Sequence, residues 1–286
     1  MKKVSPFIKW VGGKSKLISE IDRNLPDIIK DDFTYVEPFL GGGAVFFHLI
    51  SNYKIKNAYL NDLNIHLINT YIDLRDNYRL LCKFLKDIQL EYENSEDKKN
   101  YYLNKRKEFN SIKKSIEKSS LFIFLNKTGF NGMYRENSKG EFNIPFGDMK
   151  NPKIFNKELL SSVSILLNEN KIEFSSKSFE ELLPKDTNCF YYLDPPYRPI
   201  SKTSSFTDYT KSNFNDEVQK RLKKYCDNID LAGNLFLQSN SYSKDQFFQK
   251  LYKSRIISKL EVTRTISADG SKRKKVSEIL IRNYES

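Results

Sequence analysis

Phe33-Thr34-Tyr35-Val36-Glu37-Pro38-Phe39-Leu40-Gly41-Gly42-Gly43-Ala44-Val45-Phe46-Phe47-His48-Leu49-Ile50 is the stretch from which the fold can be read. Residues 33 to 39 have the composition of a strand, and residues 44 to 50 are apolar enough for a buried helix. Glycines between a strand and a helix let a ligand approach the backbone closely, with the helix N-terminus behind it. Asn57 to Leu60 form the next strand, ending at Asn61-Asp62, and Asn64 to Tyr71 open another helix. This is a βαβ opening and predicts an α/β fold. Asp62 stands close to the ~20-residue offset at which an acid grips ribose hydroxyls. The glycine triplet does not match Gly-x-Gly-x-x-Gly, which favours a single nucleoside over a dinucleotide. The alternative for Asp62 is a plain helix N-cap, a role open to Asn64 as well.

Outward from this stretch the pattern changes. From Asp73 to Leu125 the chain reads as charged helix with no strand. Residues 126 to 150 are rich in Gly and Asn, with Phe130, Tyr134, Phe142 and Phe146 interleaved, and Ser138-Lys139-Gly140 separates two arms. That predicts a β-hairpin or structured loop within residues 128–147. After Pro152 the alternation resumes. Helices are expected near 155–168, 179–183, 214–230 and 244–252, and strands at 171–174, 189–193, 234–238, 255–263 and 276–282. Asp269-Gly270 marks the turn between the last two strands. The expected organisation is one α/β domain built from residues 1–72 and 151–286, interrupted by an insertion at 73–150.

Composition narrows the chemistry. In 286 residues there are two histidines, three widely spaced cysteines and no Cys-x-x-Cys, which argues against a zinc finger or a disulfide framework. Neither a Gly-x-Ser-x-Gly elbow nor a P-loop occurs. No apolar run approaches the ~18 residues of a membrane span, and no signal-peptide pattern is present, so a cytoplasmic location is expected. The net charge of +12 is concentrated. Residues 98–118 carry eight basic against two acidic side chains, and residues 250–275 carry nine against two. Two basic blocks on an otherwise near-neutral chain suggest a polyanion, most simply nucleic acid.

The sharpest local feature is Tyr191-Tyr192-Leu193-Asp194-Pro195-Pro196-Tyr197. An apolar strand delivers a carboxylate to its C-terminal edge, where open α/β sheets bind ligands. Two prolines keep the following backbone extended. Asp194 and the carbonyl of Leu193 or Pro195 become fixed acceptors suited to the two N–H groups of an exocyclic amine. Tyr197 offers a ring face to the heterocycle.

The Asp194-Pro195-Pro196-Tyr197 tetrad resembles the catalytic motif of amino-directed, S-adenosylmethionine-dependent methyltransferases. Glu37-Pro38-Phe39-Leu40-Gly41-Gly42-Gly43 resembles their cofactor motif, and Pro6 to Lys14 (Pro-Phe-Ile-Lys-Trp-Val-Gly-Gly-Lys) their N-terminal motif. Gly129 to Asn137, continued by Gly140 to Gly147, is similar to the target-recognition hairpin of Dam-type DNA adenine-N6 methyltransferases of the α, or D12, class. The order of the motifs is that of this class and spans nearly the whole chain.

The resemblance implies a Rossmann-like methyltransferase fold with an inserted helical plus β-hairpin target-recognition domain. It implies S-adenosylmethionine as methyl donor, no metal, and a cofactor pocket framed by Trp10, Lys14, Glu37, Phe39, Gly41, Gly43, Asp62, Phe179 and Asp194. It implies double-stranded DNA as substrate, methylated at adenine N6 in 5′-GATC-3′ after base flipping. Lys9 and Arg135 would read guanines, Met133 and Pro145 pack on a thymine methyl, and Phe130 with Asn131 fill the gap left by the adenine. Protection of DNA beside a cognate restriction endonuclease is the expected role, with a solitary regulator as the alternative, and the expected state is a monomer or weak dimer. The chain departs from relatives at Phe130, often Tyr; at Asp148-Met149, where some carry Arg-Tyr; and at Ser178-Phe179, which stands where relatives often have Gly-Asp-Phe. Glu180 is the candidate substitute for that missing acid. A cytosine-C5 enzyme needs a Pro-Cys nucleophile, and no cysteine here follows a proline. The alternatives are an amino methyltransferase acting on RNA or another sequence and a catalytically silent or differently targeted nucleic-acid-binding protein, and the intact tetrad argues against a silent one. Residues 198–209 are expected to close over the flipped base.

Overall fold

The computed structural model describes residues 4–182, 187–198, 214–263 and 275–285. Seven strands, β1 (Phe33–Glu37), β2 (Ile55–Asn61), β3 (Ile172–Ser175), β4 (Cys189–Leu193), β5 (Leu235–Ser241), β6 (Ile256–Thr263) and β7 (Lys275–Arg282), form one sheet in the order β3-β2-β1-β4-β5-β7-β6. The first five are parallel, and β7 runs antiparallel to both its neighbours. Every residue of β1 and β4 is buried, and β4 reads as an unbroken apolar and aromatic run while β1 also buries Thr34 and Glu37.

Side chains alternate between the two faces of the sheet. Tyr35, Phe190, Tyr192 and Leu237 pack into one apolar layer, and Val36, Tyr191, Leu193 and Phe236 into the other. The chain winds from β1 outward to β2 and β3, then returns to lay β4 on the opposite side of β1, with Val36 opposite Tyr191. The carboxyl ends of β1 and β4 therefore meet where the strand order reverses, the ligand-binding crevice of doubly wound sheets.

The helices are α1 (Ile18–Arg23), α2 (Ala44–Asn52), α3 (Ile65–Asp76), α4 (Tyr78–Asn94), α5 (Lys98–Ser111), α6 (Ile116–Thr128), α7 (Lys157–Glu169), α8 (Asp216–Leu231) and α9 (Phe247–Leu251). The expected break between residues 72 and 73 falls inside α3, because Leu67, Ile68, Tyr71 and Leu74 keep one continuous buried face. No strand interrupts α4 to α6. α6 is buried on all sides from Ser119 to Asn126.

The segment after α6 is a structured loop with hairpin-like pairing and no regular ladder. Two isolated bridges join Gly129 to Phe146 and Glu136 to Phe142. Phe130 N donates to Pro145 O at 3.0 Å, and Asn143 N to Arg135 O at 3.0 Å. Side chains of α5 complete what a strand partner would have supplied. Tyr102 and Arg106 both donate to Ile144 O at 2.9 Å, and Asn110 bonds both the N–H and the C=O of Phe142.

This arrangement also revises the reading of the first basic block. Arg106 holds the loop, Lys98 caps α4 by donating to three carbonyls, Lys105 pairs with Glu91 and Glu108, and Lys118 donates to Ile112 O. Lys99, Lys107, Lys113 and Lys114 stay exposed. In the second block Arg255 is bound to Asp227 and Asp230. Residues 264–274, with the Asp269-Gly270 turn, and residues 199–213, most of the expected closing loop, lie outside the described residues. No described helix is long and apolar enough to cross a membrane.

Phe190 is fully buried at the centre of β4, between Phe33, Tyr35 and Tyr284. Phe190→Ala is expected to destabilise the protein by about 3–5 kcal/mol, read as a lower denaturant midpoint with an unchanged slope.

Candidate active site

Burial forces the end of β4 to be fully paired. Asp194 leaves the strand as its first half-exposed residue, and both its oxygens are held. Lys14 Nζ lies 2.7 Å from Oδ2, and Ser239 Oγ donates to Oδ1 at 2.7 Å. Lys14 also donates to Gly12 O at 2.7 Å, and its side chain is only 6% exposed. Ser239 comes from the adjacent β5, and Tyr192 OH lies 3.3 Å from its hydroxyl.

The residues after Asp194 are pinned in turn. Pro195 is buried, and the Pro196 carbonyl accepts from Gln219 at 3.3 Å. Tyr197 OH donates to Glu278 Oε2 at 2.6 Å, and the Lys14 ammonium sits 4.8 Å from the Tyr197 ring centroid. Burial, and then the charges of Asp194 and Glu278, push the Tyr197 hydroxyl well above its ordinary pKa, so it remains a donor. Arg198 grips Asp216 with Nε and Nη2 at 2.6 and 2.9 Å, grips Asp245 with Nη1 at 2.7 Å, and lies over Phe247. The neighbouring Ser243 hydroxyl and the Arg198 guanidinium hold the Asp245 carboxyl down at about 2.

The glycine turn lies beside this cluster. Gly41 and Gly43 adopt φ values of +50° and +69°, where a side chain is strained. A Cβ on Gly41 would sit 2.6 Å from Trp10 Cδ1, so the N-terminal segment lies directly on the turn. Asp62 is held by main-chain donors, Gly41 N to Oδ2 and Asn64 N to Oδ1, both at 2.9 Å. Asn64, not Asp62, caps α3 through His66 N and Leu67 N. Asp62 thus joins the glycine turn to the end of β2.

Glu37 is 2% exposed and accepts from Tyr35 OH at 2.8 Å. Burial raises its carboxyl well above the ordinary range against the Tyr35 hydrogen bond, with Asp194 and Asp62 adding to the rise. Its neighbour Phe39 packs against Phe179, centroids 5.6 Å apart, and both meet Phe214. Phe179 is itself buried, and Glu180 pairs with Arg221 at 3.3 Å.

A second group gathers around Lys9. Lys9, Asn131, Arg135 and Pro145 are exposed, Phe130 is 48% exposed, and Met133 is half-buried. Asn131 has φ +54°, which turns the chain sharply after Phe130. Arg135 Nε donates to Asn143 Oδ1 at 2.8 Å. Lys9 Nζ lies 3.2 Å from Met149 Sδ, at one of the positions where the chain departs from relatives. Trp10 stacks on Tyr134 with planes 21° apart and centroids 6.2 Å apart, tying this group to the glycine turn.

Ser239, Glu278 and Asn126, which bonds the main chain of Lys9, belong to these two groups and carry no local sequence signal that marks them, whereas Arg198 opens the expected closing loop. Ser239 and Glu278 are brought in only by strand pairing.

Residues 10–266 match the family described as D12 class N6 adenine-specific DNA methyltransferase. The chain belongs to this family. It is 42% identical over 290 residues to the type II methyltransferase M.MjaIII of Methanocaldococcus jannaschii, covering 98% of this chain and 99% of that one. It is 39% identical to the type II methyltransferase M1.LlaDCHI of Lactococcus lactis subsp. cremoris, covering 98% and 95%. It is 31% identical to a DNA adenine methylase of Vibrio cholerae, covering 98% and 96%. The protein is an adenine-specific DNA methyltransferase, S-adenosylmethionine is its methyl donor, and the seven-stranded α/β sheet is consistent with a methyltransferase fold. The cradle suits such a donor: a side-chain-free turn backed by the amino end of α2, with a carboxylate at the next strand end.

Glu37 gives a pH test of the site. Its carboxyl keeps its proton further up the pH scale in the folded protein than in the unfolded chain. It therefore contributes stability that is fully present below the ordinary carboxylate pKa and is lost as pH rises through the raised one. Glu37→Gln is expected to melt above the wild type at neutral and alkaline pH, with the gap closing towards about pH 4.5, in thermal scans across that range. A pH dependence identical to the wild type would contradict the buried neutral acid.

Proposed function

We propose that the protein methylates adenine N6 within 5′-GATC-3′ in duplex DNA and flips the adenine into the crevice between β1 and β4. The observation that carries the reading is Asp194, a carboxylate fixed through both oxygens at a strand end with Tyr197 pinned beside it. Each carboxylate oxygen has a further lone pair and can accept an amine hydrogen without losing its present partner. Asp194 and a neighbouring main-chain carbonyl accept the two N6 hydrogens and hold the amine so that its lone pair projects out of the plane. Tyr197 stacks on the base. When bound, S-adenosylmethionine supplies a sulfonium-activated methyl group for in-line capture by that lone pair. Trp10, Lys14, Phe39, Gly41, Gly43 and Asp62 frame its pocket. Glu37 and Phe179 support the pocket from beneath, since both are buried in packing of their own. The proton is lost from a cationic product, so positioning does most of the catalysis.

Target reading is assigned to the insertion and the N-terminal segment. Lys9 and Arg135 read guanines, as exposed cations at a groove edge commonly do. Met133 and Pro145 contact the thymine methyl, and Phe130 enters the stack with Asn131 beside it. An extruded base costs a few kcal/mol, offset by stacking and phosphate contacts. Burial, with the nearby charge of Lys9, pushes the Lys127 ammonium down to about 8. A role in protecting DNA beside a restriction endonuclease is supported by the higher identity to the relatives named type II methyltransferases than to the DNA adenine methylase.

DNA exposed to the protein and S-adenosylmethionine is expected to become resistant to a nuclease blocked by adenine methylation in GATC, and a GTTC duplex to take up no labelled methyl. Equal labelling of both duplexes would overturn the target assignment. Asp194→Ala is expected to bind duplex DNA as the wild type does but to lose kcat by about 10²-fold or more, the usual cost of removing a preorganised group aimed at developing charge. Full residual turnover would place the chemistry elsewhere.

A further inference from the structure

We propose that Asn126 is a positioning residue for target specificity, locking Lys9 and the recognition loop into one register so that both ends of the site are read together. Asn126 is 4% exposed within α6 and has no surface to offer DNA. Its Oδ1 accepts from Lys9 N at 2.8 Å, and its Nδ2 donates to Lys9 O at 2.7 Å and to Gly132 O at 3.1 Å. All three bonds go to main chain, and they join segments 117 residues apart. A carboxamide is the side-chain group that presents one acceptor and two donors in a single plane. It satisfies both main-chain groups of Lys9 as a neighbouring strand would.

The two segments that Asn126 joins also touch directly. Gly132 has φ +64°, and a Cβ there would lie 2.5 Å from Lys9 Cβ. Gly132 precedes Met133 and Arg135, while Lys9 precedes Trp10, which stacks on Tyr134. The distance between the Lys9 and Arg135 side chains is therefore set through the Asn126 amide. Base readout needs contact groups held to about half an ångström. Loss of the amide leaves buried main-chain groups unpaired and frees the two readers from one another. Discrimination between sites falls further than turnover at the best site. The inference rests on the reading of Lys9 and the loop as base readers.

The experiment begins by methylating a randomised duplex library with the wild-type protein and sequencing the methylated adenines. That step alone decides the GATC assignment. The ratio of kcat/KM on the selected site to that on duplexes changed at one outer base pair is then measured for wild type, Asn126→Ala and Asn126→Asp. Asn126→Asp keeps the acceptor for Lys9 N but sets a carboxylate against the carbonyls of Lys9 and Gly132. Both variants are expected to lose at least about tenfold in that ratio, while affinity for S-adenosylmethionine changes less than about twofold. Gly132→Ala displaces Lys9 without deleting any hydrogen bond and is expected to lose the ratio likewise, which keeps the test open if the Asn126 variants do not fold. Parallel loss of activity on selected and altered sites, with the ratio intact in folded variants, would overturn the proposal.

Discussion

A carboxylate at the end of a buried strand has to be paired, and Asp194 is paired from both sides. Lys14 reaches it from the N-terminal segment and Ser239 from β5, each at 2.7 Å. The Asp194 side chain is only 20% exposed, so it needs partners in place of the water it has lost, and Lys14 and Ser239 supply them. That requirement reaches far along the chain. The N-terminal segment must dock on the glycine turn, and β5 must pair beside β4 in the observed register. Tyr197 is fixed by Glu278 on β7, so the reversed strand at the far side of β5 contributes to the same site. Strands β4, β5 and β7 thus each contribute to this one site.

The glycine turn imposes the complementary constraint. Trp10 occupies the space a Gly41 side chain would need, and Asp62 bonds the Gly41 N–H. A side chain at Gly41 would disturb three things together: the left-handed backbone, the seat of Trp10 and the approach of Asp62. Trp10 in turn stacks on Tyr134 in the recognition loop. The turn therefore works as a joint between cofactor cradle and loop, more than as a flexible lid.

Much of this was legible in the sequence where the information is local. The strands of the sheet announce themselves as apolar runs, the glycine turn sits between a strand and a helix, and Asp194-Pro195-Pro196-Tyr197 marks a strand end in four residues. The less legible features arise from chain segments distant in sequence. Ser239 looks like any residue of a polar strand end, Glu278 like an exposed strand acid, and Asn126 like one more helix residue, until pairing brings their partners to them. The loop at 129–147 has the composition of a hairpin, yet its pairing is irregular because side chains of α5 take the hydrogen bonds a ladder would have used. Charge counting misleads for the same reason. Lys98, Lys105, Arg106 and Lys118 contribute to the +12 but hold carbonyls or acids inside the fold.

What remains is the economy of the N-terminal segment. Lys9, Trp10 and Lys14 fall within six residues, yet they meet the recognition loop, the glycine turn and the Asp194 carboxylate respectively. The segment turns between them, with Gly12 at φ +81° and Gly13 N donating to Trp10 O at 3.1 Å, so the side chains of Lys9, Trp10 and Lys14 leave it in different directions. One short strap therefore meets three separate parts of the fold, provided it is held rigid. Its rigidity comes from elsewhere: the Asn126 amide at Lys9, the Tyr134 ring at Trp10 and the Gly12 carbonyl with Asp194 at Lys14. Each clamp is contributed by a different part of the fold. The strap thus holds the loop and the Asp194 carboxylate in a fixed relation to one another.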